Sequence, residues 1–332
     1  MSDAASIIIK FSGQVKYKRD RWLDYQPVKP YTELFPGDLI QVPPGATALI
    51  ECAIGNLWRV PEGVSGLNNG CQPMDDNGGG GTRPVNDDLT PIPFVISPRS
   101  TLLLADKPAL RWNAVSGASS YIVSVSDETN GSEIWKAEVS STEIVYPGTS
   151  SLEPGVDYLV IVKADNAKSS EEDKEVDLAF RLIDKNESQR ILAHVEQIQQ
   201  ELSGEAADLA VVHLYGTSKL KAEAIEMLEV LAQKGSQTTA IYRMLGDLYW
   251  QVKLHHLSES PYKKAIQLAE VNQDIEVKAV AQARLAELYE ARGQWIEAIS
   301  WGTAAKLDYE TLGDTQRVSE LTQKLEQWNK RI

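Results

Sequence analysis

The hydrophobic pattern along the chain changes period once. Up to about residue 183 it consists of short runs such as SIIIKF, ATALIECAI, ALRWNAV, SYIVSVSD, SEIWKAEV and DYLVIVKAD. These alternate, are rich in β-branched residues and are separated by Pro- and Gly-containing turns, so they predict strands. Beyond Asp184 apolar residues recur every three to four positions, starting with ESQRILAHVEQIQQEL, and predict helices nearly to the end. No proline follows Pro261, so nothing between 262 and 332 interrupts a helix by ring closure. The fold class expected is therefore multidomain, an all-β N-terminal half followed by an all-α half. The divisions fall at 1–70, a small β domain; 71–92, a linker with four consecutive glycines; 93–184, an antiparallel sandwich of six or seven strands; and 185–332, helical repeats.

The helical half is self-similar. Val211 and Leu245, Val212 and Gly246, Tyr215 and Tyr249, Leu228 and Tyr262, and Leu231 and Ala265 are pairs 34 residues apart. Leu285, Ala286, Tyr289, Ala298 and Ala305 form a third copy, 40 residues beyond the second. A large–small pair, then an aromatic, then small residues on the next helix resembles the tetratricopeptide repeat (TPR). In such a repeat the small residue admits the neighbouring helix and the aromatic fills the gap beside it. The resemblance implies a TPR solenoid of three copies over about 205–306, with flanking helices at 187–202 and 315–331. Val318, Leu321, Leu325 and Trp328 are spaced as the apolar face of a capping helix. Three positions depart from the pattern: Gly302 stands at an aromatic place, Ser258 at an alanine place, and Pro261 near the start of a second helix, where a first turn tolerates it.

The β half carries two further resemblances. GQVKYKR…PVKPYTELFPGDLIQVPPGATALIECAIGNLWRV resembles the FecR-like β domain over about 60 residues. ALRWNAVSGASSYIVSV followed by LEPGVDYLVIVKA resembles a fibronectin type III or immunoglobulin-like domain, which implies structural roles for Trp112, Tyr121 and Tyr158. The combination is similar to cyanobacterial multidomain proteins. It implies an interaction scaffold or adaptor, with a caspase-like protease of the TPR-associated type as the partner.

Charge narrows the partners. The net charge of −14 argues against nucleic acid, whose phosphates need clustered Lys and Arg. Residues 1–70 hold seven basic and seven acidic side chains, so the excess acid lies in the rest of the chain. KYKRDR at 16–21 is the one basic cluster and reads as a solvated strand and turn. No apolar run is long enough to span a membrane, and the start of the chain lacks a secretory core. With two cysteines, Cys52 and Cys71, the expected compartment is the reducing cytoplasm. A periplasmic location, with the pair bridged, is expected only if an export signal has been removed.

No catalytic, cofactor or metal site is predicted. The four histidines (194, 213, 255 and 256) lie in the helical region without cysteines among them, and HExxH, GxSxG and a phosphate loop are absent. His255 and His256 are expected at an exposed inter-helix turn. The TPR resemblance implies a groove lined from the first helix of each repeat. On this chain that selects Leu209 and His213, then Arg243, Asp247, Trp250 and Gln251, then Ala283, Glu287 and Glu290. Such a mixed groove suits a protein or peptide with apolar and basic features. The alternative is a ligand- or glycan-sensing envelope protein acting through its β domains, for which Trp22, Tyr25, Tyr31 and Trp58 offer an aromatic platform.

Overall fold

The computed structural model describes residues 5–72, 92–173, 175 and 177–332; the Gly-rich stretch of the expected linker lies outside the described residues. The first eight strands are β1 (Ser6–Ser12), β2 (Lys16–Lys18), β3 (Gln26–Pro27), β4 (Glu33–Leu34), β5 (Leu39–Val42), β6 (Thr47–Glu51), β7 (Leu57–Arg59) and β8 (Gly63–Gly66). They form two four-stranded sheets, ordered β4-β1-β6-β7 and β3-β2-β5-β8. A disulfide joins Cys52, just after β6, to Cys71, beyond a 3-10 turn at Leu67–Asn69. The sequence left the pairing open, with a bridge expected only outside the reducing cytoplasm; the structure has the bridge.

Eight more strands follow: β9 (Val95–Ser97), β10 (Thr101–Leu103), β11 (Ala109–Trp112), β12 (Tyr121–Asp127), β13 (Glu133–Val139), β14 (Glu143–Val145), β15 (Asp157–Ala164) and β16 (Phe180–Leu182). They make a five-stranded sheet, β10-β16-β15-β12-β13, and a three-stranded sheet, β14-β11-β9. Trp112 and Tyr121 meet edge-on at 5.6 Å in the core between them. The Tyr158 hydroxyl accepts a hydrogen bond from the Glu153 amide at 2.8 Å, pinning the bend before β15.

Eight helices complete the chain: α1 (Lys185–Glu201), α2 (Glu205–Thr217), α3 (Lys221–Gln233), α4 (Thr239–Gln251), α5 (His255–Asn272), α6 (Ile275–Ala291), α7 (Trp295–Leu312) and α8 (Thr315–Asn329). The pairs α2/α3, α4/α5 and α6/α7 turn alike. Each first helix ends at a left-handed residue, Lys219 (φ 62°), Lys253 (φ 64°) or Gly293 (φ 69°). The next amide then bonds back to the repeat tyrosine: Leu220 to the Tyr215 carbonyl at 2.8 Å, Leu254 to Tyr249 at 2.8 Å, and Gln294 to Tyr289 at 2.9 Å. This is the reverse bond of a Schellman stop, which satisfies carbonyls the helix leaves open. The wider second spacing lies largely in α5, 18 residues against 13 in α3. Pro261 is the seventh residue of α5, not part of its first turn, because the helix already starts at His255.

Gly246 shows why one copy carries no side chain at the small position. A Cβ there would stand 2.6 Å from Cε1 of Tyr262, a fully buried ring on α5 where the first copy has Leu228. The larger partner requires the smaller residue. Gly246→Ala should therefore destabilise by about 1–2 kcal/mol, with overpacking exceeding the roughly 1 kcal/mol that alanine adds to a helix. A melt showing the variant more stable than wild type would refute the fit. Gly302 follows the same logic: a Cβ would meet Cζ3 of the buried Trp328 on α8 at 2.7 Å, so that indole occupies the space of the missing aromatic.

Both β units dock on the helices. In β1, Ile8 packs inside its own unit, whereas Ile7 and Ile9, with Leu49 of β6, pack against Ile191 and Ile198 of α1 and Ala210, Val211 and Leu214 of α2. The second unit seats on the inter-helix turns. Arg99, 2% exposed, donates to the Val252 carbonyl at 2.7 Å and the Lys253 carbonyl at 3.4 Å, and pairs with Asp173 at 2.7 Å. The Leu102 amide bonds to the Lys219 carbonyl at 3.0 Å, so the same repeat position is used in two copies.

Glu223 of α3 accepts the Leu104 amide at 2.7 Å, while its second oxygen is buried without a partner. Burial pushes this carboxyl up to about 7. The folded state thus holds a proton that the unfolded chain has released by about pH 4.5, and the stability this gives below that pH is lost as pH rises through 7. Glu223→Gln, uncharged at any pH, should gain about 2 kcal/mol over wild type at pH 8 and almost nothing at pH 4. Equal gains at both pH values, read from thermal melts, would contradict the assignment.

Candidate functional site

The site lies on the face built from the first helix of each pair, α2, α4 and α6, together with α8. Helical spacing puts Arg243 and Asp247 one turn apart on α4, and Arg284 and Glu287 together on α6. Their side chains make a continuous ladder of charge. Glu33 of β4 pairs with Arg243 at 2.8 Å, Arg243 with Asp247 at 2.6 Å, and Asp247 with Arg284 at 3.8 Å. Arg284 pairs with Glu287 at 2.9 Å, Glu287 with Lys324 of α8 at 3.0 Å, and Lys324 reaches Glu290 at 4.0 Å. Tyr262 donates to Asp247 at 2.8 Å, tying the ladder to the Gly246 contact. Burial opposes ionisation of Asp247, and the Arg243 and Arg284 guanidinium groups favour it. Burial likewise opposes ionisation of Glu33, which Arg243 outweighs.

The chain's own first β unit covers this face. Of the basic cluster read as solvated, Lys16, Asp20 and Arg21 are exposed, whereas Tyr17 and Arg19, with the adjoining Trp22, are each under 5% exposed. Arg19 pairs with Asp38 of its own unit and donates to Glu276 of α6 through Nε at 2.9 Å and Nη2 at 2.5 Å; Tyr17 donates to the same carboxylate. Arg21 Nε and Trp22 Nε1 donate to Asp314 at 2.8 and 3.2 Å, and Lys29 to the Asn272 carbonyl at 3.1 Å. The guanidinium of Arg19 lies among the rings of Tyr17, Trp22 and Phe35, 4.9 to 5.6 Å from their centroids. Arg19 alone of the four basic residues is buried, because Asp38 and Glu276 replace water around it.

The nine residues selected from sequence separate into groups, with Ala283 packed at the edge of the core cluster that includes the first β unit. His213 and Arg243 meet the β unit, and Asp247 is linked to it through Arg243; His213 lies 3.3 Å from Glu51 of β6 and 3.0 Å from the Ala5 carbonyl, the His213 and Glu51 side chains being buried. Burial works against its charge, which Glu51 restores, so the imidazole titrates above its ordinary range. Glu287 and Glu290 continue the ladder toward α8, whereas Leu209 is core. Trp250 and Gln251 lie toward the second β unit: Trp250 packs edge-on against His255 at 4.4 Å, and Gln251 lines a cleft with Thr101 and Lys253. His255, expected at an exposed turn, is buried at the start of α5 because that tryptophan covers it.

Sequence reasoning missed Arg19, Glu276 and Asp314, which hold the face closed. Beside them lies a cavity of about 560 Å³, lined among others by Arg21, Asp274, Arg284, Tyr309 and Arg317. Among the described residues, no three His, Cys, Asp or Glu side chains converge as metal ligands, and no helix is long and apolar enough to cross a membrane.

No family model matches the chain, and no curated protein matches it by sequence. Among solved structures, MamA is similar over 44% of this chain and 93% of its own length, at 17% identity and a TM-score of 0.31. BtubC (BKLC) from P. vanneervenii is similar over 43% of this chain and 72% of its own, at 14% identity and a TM-score of 0.31. Likenesses of this size carry no argument about the site.

Proposed function

We propose that the chain is a non-enzymatic protein-interaction scaffold, with a TPR solenoid over 185–332 holding a small β domain (1–70) and an immunoglobulin-like sandwich (93–184). The observation that carries this reading is the ladder from Glu33 to Glu290. Its side chains hold one another and a protein surface, with the Arg19–Glu276 and Arg21–Asp314 pairs beside it. Nothing in these contacts singles out a caspase-like protease among protein partners. Pull-down from a native lysate with the full chain, in parallel with Arg284→Glu/Glu290→Lys, tests the scaffold. A defined protein captured by wild type and lost with the variant is expected; capture of nothing, or equal capture, would reject this face as the contact.

The Cys52–Cys71 bridge favours a second reading, an envelope or sensor protein in an oxidising compartment. Thiol counting on protein taken directly from cells separates the two. Two free thiols would remove the second reading, and a quantitative bridge in a periplasmic fraction would replace the first.

A further inference from the structure

We propose that Lys16–Trp22 is a tethered occupant of the first-helix face, and that this face takes in trans a protein segment of the same chemistry, two arginines flanked by aromatic residues. The inference rests on the scaffold reading and adds what the face recognises.

Three observations carry it. The acceptors are built for that chemistry: Glu276 takes a guanidinium and a phenol together, and Asp314 takes a guanidinium and an indole N–H. Asp314 also caps α8 through the Arg317 amide at 3.0 Å, so its position is fixed from within the array and does not depend on the loop. Second, emptying the face would strand acidic groups that are now buried and paired, Asp314 at 1% exposure among them. Stranded charge is costly, so the face favours exchange of one cationic occupant for another over an open state. Third, the loop leaves room. The adjoining cavity is bordered by Arg284 and Arg317, and by Tyr309, a residue that is 5% exposed. A longer segment in trans would reach donors that the loop does not use.

A tethered occupant acts at an effective concentration in the millimolar range, so a free segment at micromolar concentration is excluded until the tethered one is weakened. The probe is a fluorescein-labelled peptide of the chain's own sequence VKYKRDRWL, titrated by anisotropy against the full chain. Arg21→Glu with Glu33→Lys loosens the seat while leaving the Arg19–Asp38 pair inside the β unit intact. This variant should bind the peptide at least tenfold more tightly than wild type, and adding Glu276→Gln should abolish the gain. Should its melt show it unfolded, Arg21→Glu alone serves, with the same expected order. Equal binding by wild type and the loosened variant, or a gain that survives Glu276→Gln, would overturn the proposal. So would absence of binding by a folded loosened variant. A failed pull-down beside a positive titration would instead reject the scaffold reading and leave the occupancy standing.

Discussion

Arg243→Met should destabilise the seating of the first β unit by about 3–5 kcal/mol. The guanidinium is 4% exposed and lies between two carboxylates, Glu33 of β4 and Asp247 of its own helix. Methionine fills much of the volume but leaves Glu33 without the guanidinium it pairs with and takes one of two guanidinium groups from Asp247, which keeps Arg284 at 3.8 Å, and the cost of breaking a buried pair comes mainly from the partner left behind. The reading therefore predicts partial rescue: Glu33→Gln on the Arg243→Met background should recover about 1 kcal/mol or more, because one stranded charge is gone. Hydrogen exchange of the β1 and α4 amides reports the opening energy locally, which suits a chain of several units better than a single melt. A loss below about 1 kcal/mol would mean that the ladder is solvated and adds little.

Arg19→Leu should cost a similar amount, about 3–5 kcal/mol, by a related route. It strands Asp38 and Glu276 and removes the cation held among Tyr17, Trp22 and Phe35. Charge alone should not restore it. Arg19→Lys keeps the positive charge but presents one compact ammonium where the planar fork serves Asp38 through Nη1 and Glu276 through Nε and Nη2. The lysine variant should remain about 1–2 kcal/mol less stable than wild type in the same exchange measurement. A lysine variant equal to wild type would show that fork geometry is irrelevant.

The residues that announced the helical half did so because their roles are local and repeated. Tyr215, Tyr249 and Tyr289 each supply the carbonyl for the same helix stop, and Gly246 is small because Tyr262 is large. Such relations recur at a fixed spacing, where a sequence can display them. The docking of the units had one visible trace, the unbroken run of isoleucines in SIIIKF. A strand with one wet face alternates, and β1 does not, since Ile7 and Ile9 face helices while Ile8 faces its own sheet. The bridge of Cys52 to Cys71 was open in the sequence because pairing depends on where β6 and the 3-10 turn come to rest.

The site was less legible. Arg19 and Glu276 are 257 residues apart, in segments whose patterns describe only their own folding. A basic cluster at a turn is ordinarily solvated, as Lys16 and Arg21 are, and only acids brought from elsewhere in the chain let Arg19 be buried within it. Asp247 was selected as a possible contact and meets its partners within the chain, whereas Trp250, three residues on, turns toward α5 and the second β unit.

The central claim is that the first β unit sits on the first-helix face through specific charge pairs. A double-mutant cycle of Arg19→Leu and Glu276→Gln, with the opening energy of β1 read by hydrogen exchange, tests it most directly. The account predicts a coupling of at least about 1.5 kcal/mol between the two substitutions, as for close charge pairs across an interface. Effects that add to within about 0.5 kcal/mol would contradict it.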